Sequence, residues 1–226
     1  MNNPFVSSHS LAKWAKDILA KRDIDSLARW RMLEHWMQPE LYRAVELGEA
    51  GSWRHLGEGE QPYYTAQPRK TSAFEVKWID LVFAQPVLEK PKQIIWFELK
   101  HIGRSQERLK SNASDLGNDT AALYALDPVK TKDVWLNPPT SVKNSSKVEL
   151  WNRYGSGIAN AEHFFAQIVL VQKRLVDVNG NDALIKNAWL KAFERRTNLS
   201  PGNHGLQIAR ADTATFCLFA LVGRHS

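Results

Sequence analysis

A single cysteine, Cys217, stands in 226 residues, which excludes a disulfide framework and any multi-cysteine zinc or iron–sulfur site and fits a reducing, cytoplasmic compartment. Long apolar runs are missing too. The longest, Phe164 to Val171 and Ala214 to Val222, fall well short of the roughly 20 residues that span a bilayer. The first ten residues lack the apolar stretch of a secretory signal. Neither GxxxxGK nor GxGxxG occurs, so nucleotide motors and dinucleotide binding find no support. There is no GxSxG elbow and no HExxH pair, and His35, His55, His101, His163 and His204 show no ligand spacing. Internal repeats, heptads and blocks of like charge are also absent.

What is present suffices for a globular core. Hydrophobic residues make up 43% and charged residues 24%, so disorder and fibrous folds are poor readings, and the length suits one domain. Thirty Lys and Arg against 24 Asp and Glu give a net charge of +6 and a pI near 9.4, a balance that favours a polyanionic partner. The basic residues come in small groups, Arg69 and Lys70, Lys90 and Lys92, Arg104, Arg108 and Lys110, Arg195 and Arg196. Any basic surface must therefore be assembled by folding. Nine tryptophans point first to core packing.

Leu11, Trp14, Ala15, Ile18 and Leu19 behind Ser10 predict a capped amphipathic helix. A second helical stretch runs from about Ser26 to Gly48, where Pro39 predicts a kink or a new first turn. Gly48 to Pro68 reads as a loop. Ser72 to Ala84 and Gln93 to Ile102, rich in β-branched and aromatic residues, predict an antiparallel strand pair. Ser105 to Leu126 returns to helix, Pro128 to about Lys147 reads as irregular, and Phe164 to Val171, Asp182 to Arg195 and Thr213 to Val222 read as apolar run, helix and strand. The expected fold is a single α/β domain, a mixed central sheet flanked by helices, with residues 1–50 as an N-terminal helical layer and residues 70–126 as its chemical core.

Three charges interrupt that strand pair: Asp80 in Trp78-Ile79-Asp80-Leu81-Val82-Phe83, and Glu98 and Lys100 in Ile94-Ile95-Trp96-Phe97-Glu98-Leu99-Lys100. Side chains alternate along a strand, so Glu98 and Lys100 share a face. If the connection closes symmetrically about Glu89, paired residue numbers sum to 178 and Asp80 lies across from Glu98. Two facing carboxylates in a half-buried sheet repel unless a cation neutralises them. Mg2+, with Mn2+ as its substitute, takes hard oxygen ligands and binds through one or two carboxylates plus phosphate oxygens. A neighbouring lysine offsets charge building on a phosphate and orients water. These are parts for phosphodiester hydrolysis. A second Glu-x-Lys, Glu75-Val76-Lys77, has no upstream acid nearby and serves as an internal control.

An acid on one strand followed by Glu-x-Lys on the next resembles the PD-(D/E)xK nuclease superfamily, the restriction-endonuclease-like fold, over about residues 26–126. The resemblance implies a Mg2+-dependent nuclease acting on DNA in preference to RNA, with Asp80, Glu98 and the Leu99 backbone carbonyl on the metal and Lys100 at the attacking water. It also implies a further glutamate from a preceding helix. Glu40 is the choice among Glu34, Glu40 and Glu46. Ile79 stands where the family's name puts proline, a departure that changes no ligand. Arg69, Lys70, Arg104, Arg108 and Lys110, which flank the strand pair, are candidate phosphate contacts, and many restriction enzymes act as dimers, so a homodimer is the expectation. Two other readings stay open: a catalytically silent nucleic-acid-binding module of the same fold, and a protein-interaction or regulatory α/β domain.

Overall fold

The computed structural model describes residues 3–20, 33–56, 61–65, 75–85, 91–102, 106–136, 157–178 and 180–225. The N-terminal stripe forms α1, Ser8–Ala20, burying Leu11, Ala12, Ala15, Ile18 and Leu19. Its cap is Ser7 and not Ser10: the Ser7 hydroxyl accepts from the Ser10 N–H at 3.1 Å and its carbonyl from Leu11 N–H, which places Ser10 inside the first turn. Helix α2, Leu33–Glu46, runs through Pro39. Pro39 starts no new helix. It sits on the exposed side of α2, while Met37, Leu41 and Val45 are buried.

The stretch expected to be a loop holds two short strands, β1, Arg54–His55, and β2, Gln61–Thr65. The run expected to be one strand is two, β3, Glu75–Ile79, and β4, Leu81–Gln85, with a bend at Asp80 between them. β3 pairs with β2 in a two-stranded ribbon, whereas β4 joins the main sheet. β5, Gln93–Ile102, pairs antiparallel with β4 in the expected register, Leu81 opposite Phe97 through Gln85 opposite Gln93, but the ladder stops there: Asp80, expected directly across from Glu98, lies in the bend outside the pairing.

After a 3-10 turn at Gln106–Arg108, α3 covers Leu109–Tyr124. α4, Pro128–Leu136, replaces part of the expected irregular stretch. Asp127 caps it by accepting from the N–H groups of Val129 and Lys130, both at 3.0 Å, and Pro128 occupies a first-turn position where its missing N–H costs nothing. β6, Glu162–Gln172, follows and lies parallel to β5 in a ten-residue register. Parallel neighbours require a crossover, and α3 and α4 both lie within it. A short α5, Lys173–Val176, precedes α6, Asn181–Thr197. The chain closes with β7, Ile208–Asp212, unanticipated in the sequence, and β8, Phe216–Arg224.

The main sheet has the order β1-β4-β5-β6-β8-β7, mixed as expected. The alternation of β5 divides the core in two. Ile94, Trp96 and Ile102 join Val82, Phe165, Val169 and residues of α3 and α6 on one face. Ile95, Phe97 and Leu99 pack with α1 and α2 on the other, which is the N-terminal helical layer. α3 meets α6 closely at Gly117, where a Cβ would come within 2.2 Å of the Trp189 carbonyl oxygen. Among the described residues no helix is long and apolar enough to cross a membrane.

Candidate functional site: a carboxylate pair and a lysine at the open edge of β5

β4 stops at Leu81 while β5 runs on to Ile102, so beyond Phe97 the β4 side of β5 loses its strand partner. The bend at Asp80 fills the gap. The Asp80 carboxylate accepts from the Leu99 N–H at 2.6 Å, taking the role a strand carbonyl would have played. The Gln38 amide of α2 donates to the Asp80 backbone carbonyl at 2.7 Å, which ties the bend to the N-terminal layer. A strand residue directs its N–H and C=O to the same side, so the Leu99 carbonyl leaves β5 toward Asp80 as well. The Leu99 side chain enters the opposite core.

Glu98 and Lys100 project from the other face, toward α3. Glu98 is 8% exposed, and the Lys100 Nζ lies 2.5 Å from its Oε1. Burial, then repulsion from Asp80, drives the Glu98 carboxyl well above its ordinary value, and Lys100 only partly counters this. Burial works against a charged Lys100, yet Glu98 in contact, with Asp119 and Asp80 behind it, outweighs burial and raises the ammonium above its usual value. Glu98 thus feels Asp80 and Asp119, and Lys100 feels all three carboxyl groups, in surroundings that screen little.

Asp119, on α3, is the carboxylate the sequence reading missed. Its pKa is raised by burial, against the pull of Lys100 and then of Lys77. Lys77 belongs to the Glu-x-Lys copy set aside as a control, and β3 carries it toward the same charges. A signal existed for Asp119: Ala113, Leu116 and Thr120 mark the buried face of α3, and Asp119 borders it.

Glu40 is half-buried on α2, in the layer on the other face of the sheet. The charged groups that act most on Glu98 are Asp80, Lys100 and Asp119. Glu46 accepts from the His55 N–H at 3.2 Å, and the Glu34 side chain lies outside the described residues. Arg108 and Lys110 are exposed at the start of α3, while Arg69, Lys70 and Arg104 lie outside the described residues. His101 faces away from Lys100, as alternation requires, with its ring 6.2 Å from that of Phe216 in the opposite core.

Among the described residues no three His, Cys, Asp or Glu side chains gather as a metal cage. Asp80 and Glu98 offer a donor set of oxygen alone. That suits a hard cation which keeps most of its water, and does not suit zinc. Two open cavities lie toward the other end of the same strands, one of them, about 670 Å3, lined by Phe5, Trp53 and Phe164. No family model matches the chain, and neither does any curated protein or solved structure.

Proposed function

We propose that the protein is a Mg2+-dependent nuclease that hydrolyses phosphodiester bonds of DNA, in keeping with its resemblance to the PD-(D/E)xK superfamily. The observation that carries the reading is the buried Glu98 carboxyl near the end of β5, with Asp80 acting on it and the Lys100 Nζ 2.5 Å from its Oε1. Asp80, Glu98 and the Leu99 carbonyl would hold the cation. When bound, Mg2+ supplies Lewis-acid charge to phosphoryl oxygens and eases deprotonation of water.

The chain's own groups divide the remaining work. The raised pKa of Lys100 keeps it an ammonium at neutral pH, so it serves as a positive charge and hydrogen-bond donor, not as the base. It offsets charge that builds on the phosphate during reaction. Asp80 does two things at once: one oxygen is committed to the Leu99 N–H, which fixes the direction of the other. Asp119 gives the ammonium a second anionic neighbour, so a cation that draws Glu98 away does not leave Lys100 without a counter-charge.

The test is incubation of supercoiled plasmid and linear single strands with the full chain, in Mg2+ and in EDTA. The expected result is cleavage in Mg2+ alone. Salt-sensitive binding without cleavage would replace the reading with a silent module of the same fold. Absence of both would favour a protein-interaction domain.

A further inference from the structure

Lys77 sits in β3, three residues ahead of Asp80, and alternation along the strand tells which way it points. Ile79, of the same parity, is fully buried and packs in the core that holds Leu109, Ala113 and Leu116 of α3. Tyr63, directly opposite Lys77 across the ribbon, is buried in the same core. Residues paired across two strands share a face, so two neighbours independently place Lys77 on the α3 side, where Glu98, Lys100 and Asp119 lie. Trp78, of the other parity, is 44% exposed. The end of β3 is also held at the site, because the Asp80 carboxylate that follows it accepts from the Leu99 N–H at 2.6 Å.

The two lysines that act on Asp119 are not engaged alike. Lys100 holds its Nζ 2.5 Å from Glu98, so its charge is met within the protein. Lys77 is half-buried and acts on Asp119, yet among the described residues its ammonium makes no ion pair or hydrogen bond. Lys77 and Asp119 are thus near enough to feel each other without touching. A lysine stem lies along apolar surface while its head stays in water, and here Tyr63 and Ile79 supply such a surface beneath the stem. A phosphate strand brought to this site meets Glu98 and Asp119, which repel it. Lys100 is already shared with Glu98. Of the two cations beside Asp119, Lys77 is the one without a contact of its own, a compact point charge with three donors for an incoming oxyanion.

We propose that Lys77 is a backbone-phosphate contact for the nucleic-acid strand brought to Lys100, which makes the β2–β3 ribbon part of the substrate-binding surface. The inference rests on the nuclease reading above and extends it to a residue outside the Asp, Glu and Lys motif, on an element outside the main sheet. It also gives the Glu75-Val76-Lys77 copy a role that is not a second active centre: its lysine grips the strand and does no chemistry. A phosphate contact carries no sequence information, so Lys77 acts alike on all sequences.

The test is the affinity of the full chain for short labelled DNA, duplex and single-stranded, followed by fluorescence anisotropy in EDTA from low to high salt, a reading that needs no cleavage. Lys77→Met keeps most of the stem and removes the charge. It is expected to weaken binding about tenfold at low salt and to lower the slope of log affinity against log salt by about 1, on unrelated sequences alike. Lys77→Arg is expected to keep both. In Mg2+ the loss in Lys77→Met falls on KM more than on kcat. A lysine that only packs would lower the unfolding temperature and leave the salt slope alone. That outcome in Lys77→Met, or in Lys77→Gln should the first variant fold poorly, overturns the assignment of Lys77 and leaves the nuclease reading standing, provided the unaltered chain binds and cleaves. An equal loss in Lys77→Arg overturns it as well. Binding without cleavage by the unaltered chain removes the nuclease reading, and the change of slope still decides Lys77. An unaltered chain that does neither overturns both.

Discussion

Two clusters of carboxylates around a cationic side chain occur in this protein, and they are built to opposite ends. Around Arg210 on β7, the guanidinium reaches Asp212 at 2.7 Å, Asp182 at 3.1 Å and Asp177 at 3.3 Å, and Lys186 adds a 2.9 Å contact to Asp182. Hydrogen bonds from Arg210, against some burial, lower the Asp212 pKa. Around Glu98 the balance is reversed: burial and Asp80 outweigh Lys100 and the pKa rises. The number of acids is similar. The difference lies in solvent, because the Arg210 group is partly open and its fork is shared among three aspartates, whereas Glu98 is sunk in the sheet, where burial is the largest cause of its raised pKa. The Arg210 cluster ties β7 to α6 and to the turn at Asp177.

The largest expected effect would break the comparison outright. Glu98→Gln and Asp80→Asn should each abolish the cation-induced rise in unfolding temperature and lower Mg2+-dependent cleavage by about 100-fold or more, without loss of metal-free stability, since each removes a repelling charge. A destabilised Glu98→Gln in the absence of metal would show that Glu98 is a structural ion pair like those of Arg210.

Next in size is the response to pH, which should have opposite signs in the two clusters. The Glu98 pKa is raised on folding, so its contribution to stability is whole below the ordinary carboxylate value and is lost as pH rises toward and through neutrality. The Asp212 pKa is lowered, so its contribution is present above that value and is lost as pH falls through the folded one. Urea titrations across pH 3 to 9 on metal-free protein should show Glu98→Gln flattening the decline toward high pH and Asp212→Asn flattening the decline toward low pH. The same slope in all three proteins would erase the distinction.

Arg210→Met should cost about 1–2 kcal/mol, reduced by partial exposure from the cost of breaking a buried pair, while cleavage and Mn2+ affinity stay within twofold of the unaltered chain. Denaturant midpoints and calorimetry read the two quantities separately. The smallest effect concerns the polyanion. Replacing both Arg108 and Lys110 by Ala should lower the slope of log affinity against log salt by about 2 if both touch phosphates. An unchanged slope removes them from the contact surface.

Much of the site was legible from local pattern. The β4–β5 register followed from a hairpin symmetric about Glu89, and alternation put Glu98 and Lys100 on one face with Trp96 and Val82. The break at Asp80 was not legible, because Ser72 to Ala84 has strand propensity throughout and only competition between two sheets, with Ile79 pairing Gln61 and Leu81 pairing Phe97, forces the turn. The cap at Ser7 was missed for a smaller reason: Ser7 and Ser10, one helical turn apart, offer the same capping chemistry, and the helix starts a turn earlier than the apolar stripe suggests.

The two-faced division of β5 and the β4–β5 register are set by short-range rules of alternation, propensity and turn symmetry, and the order of residues suffices to state them. The nearness of Asp119 and Lys77 and the lodging of Gln167 against Thr120 arise from long-range packing. They depend on which face of the sheet each helix covers, and that is decided by how the whole apolar surface is buried.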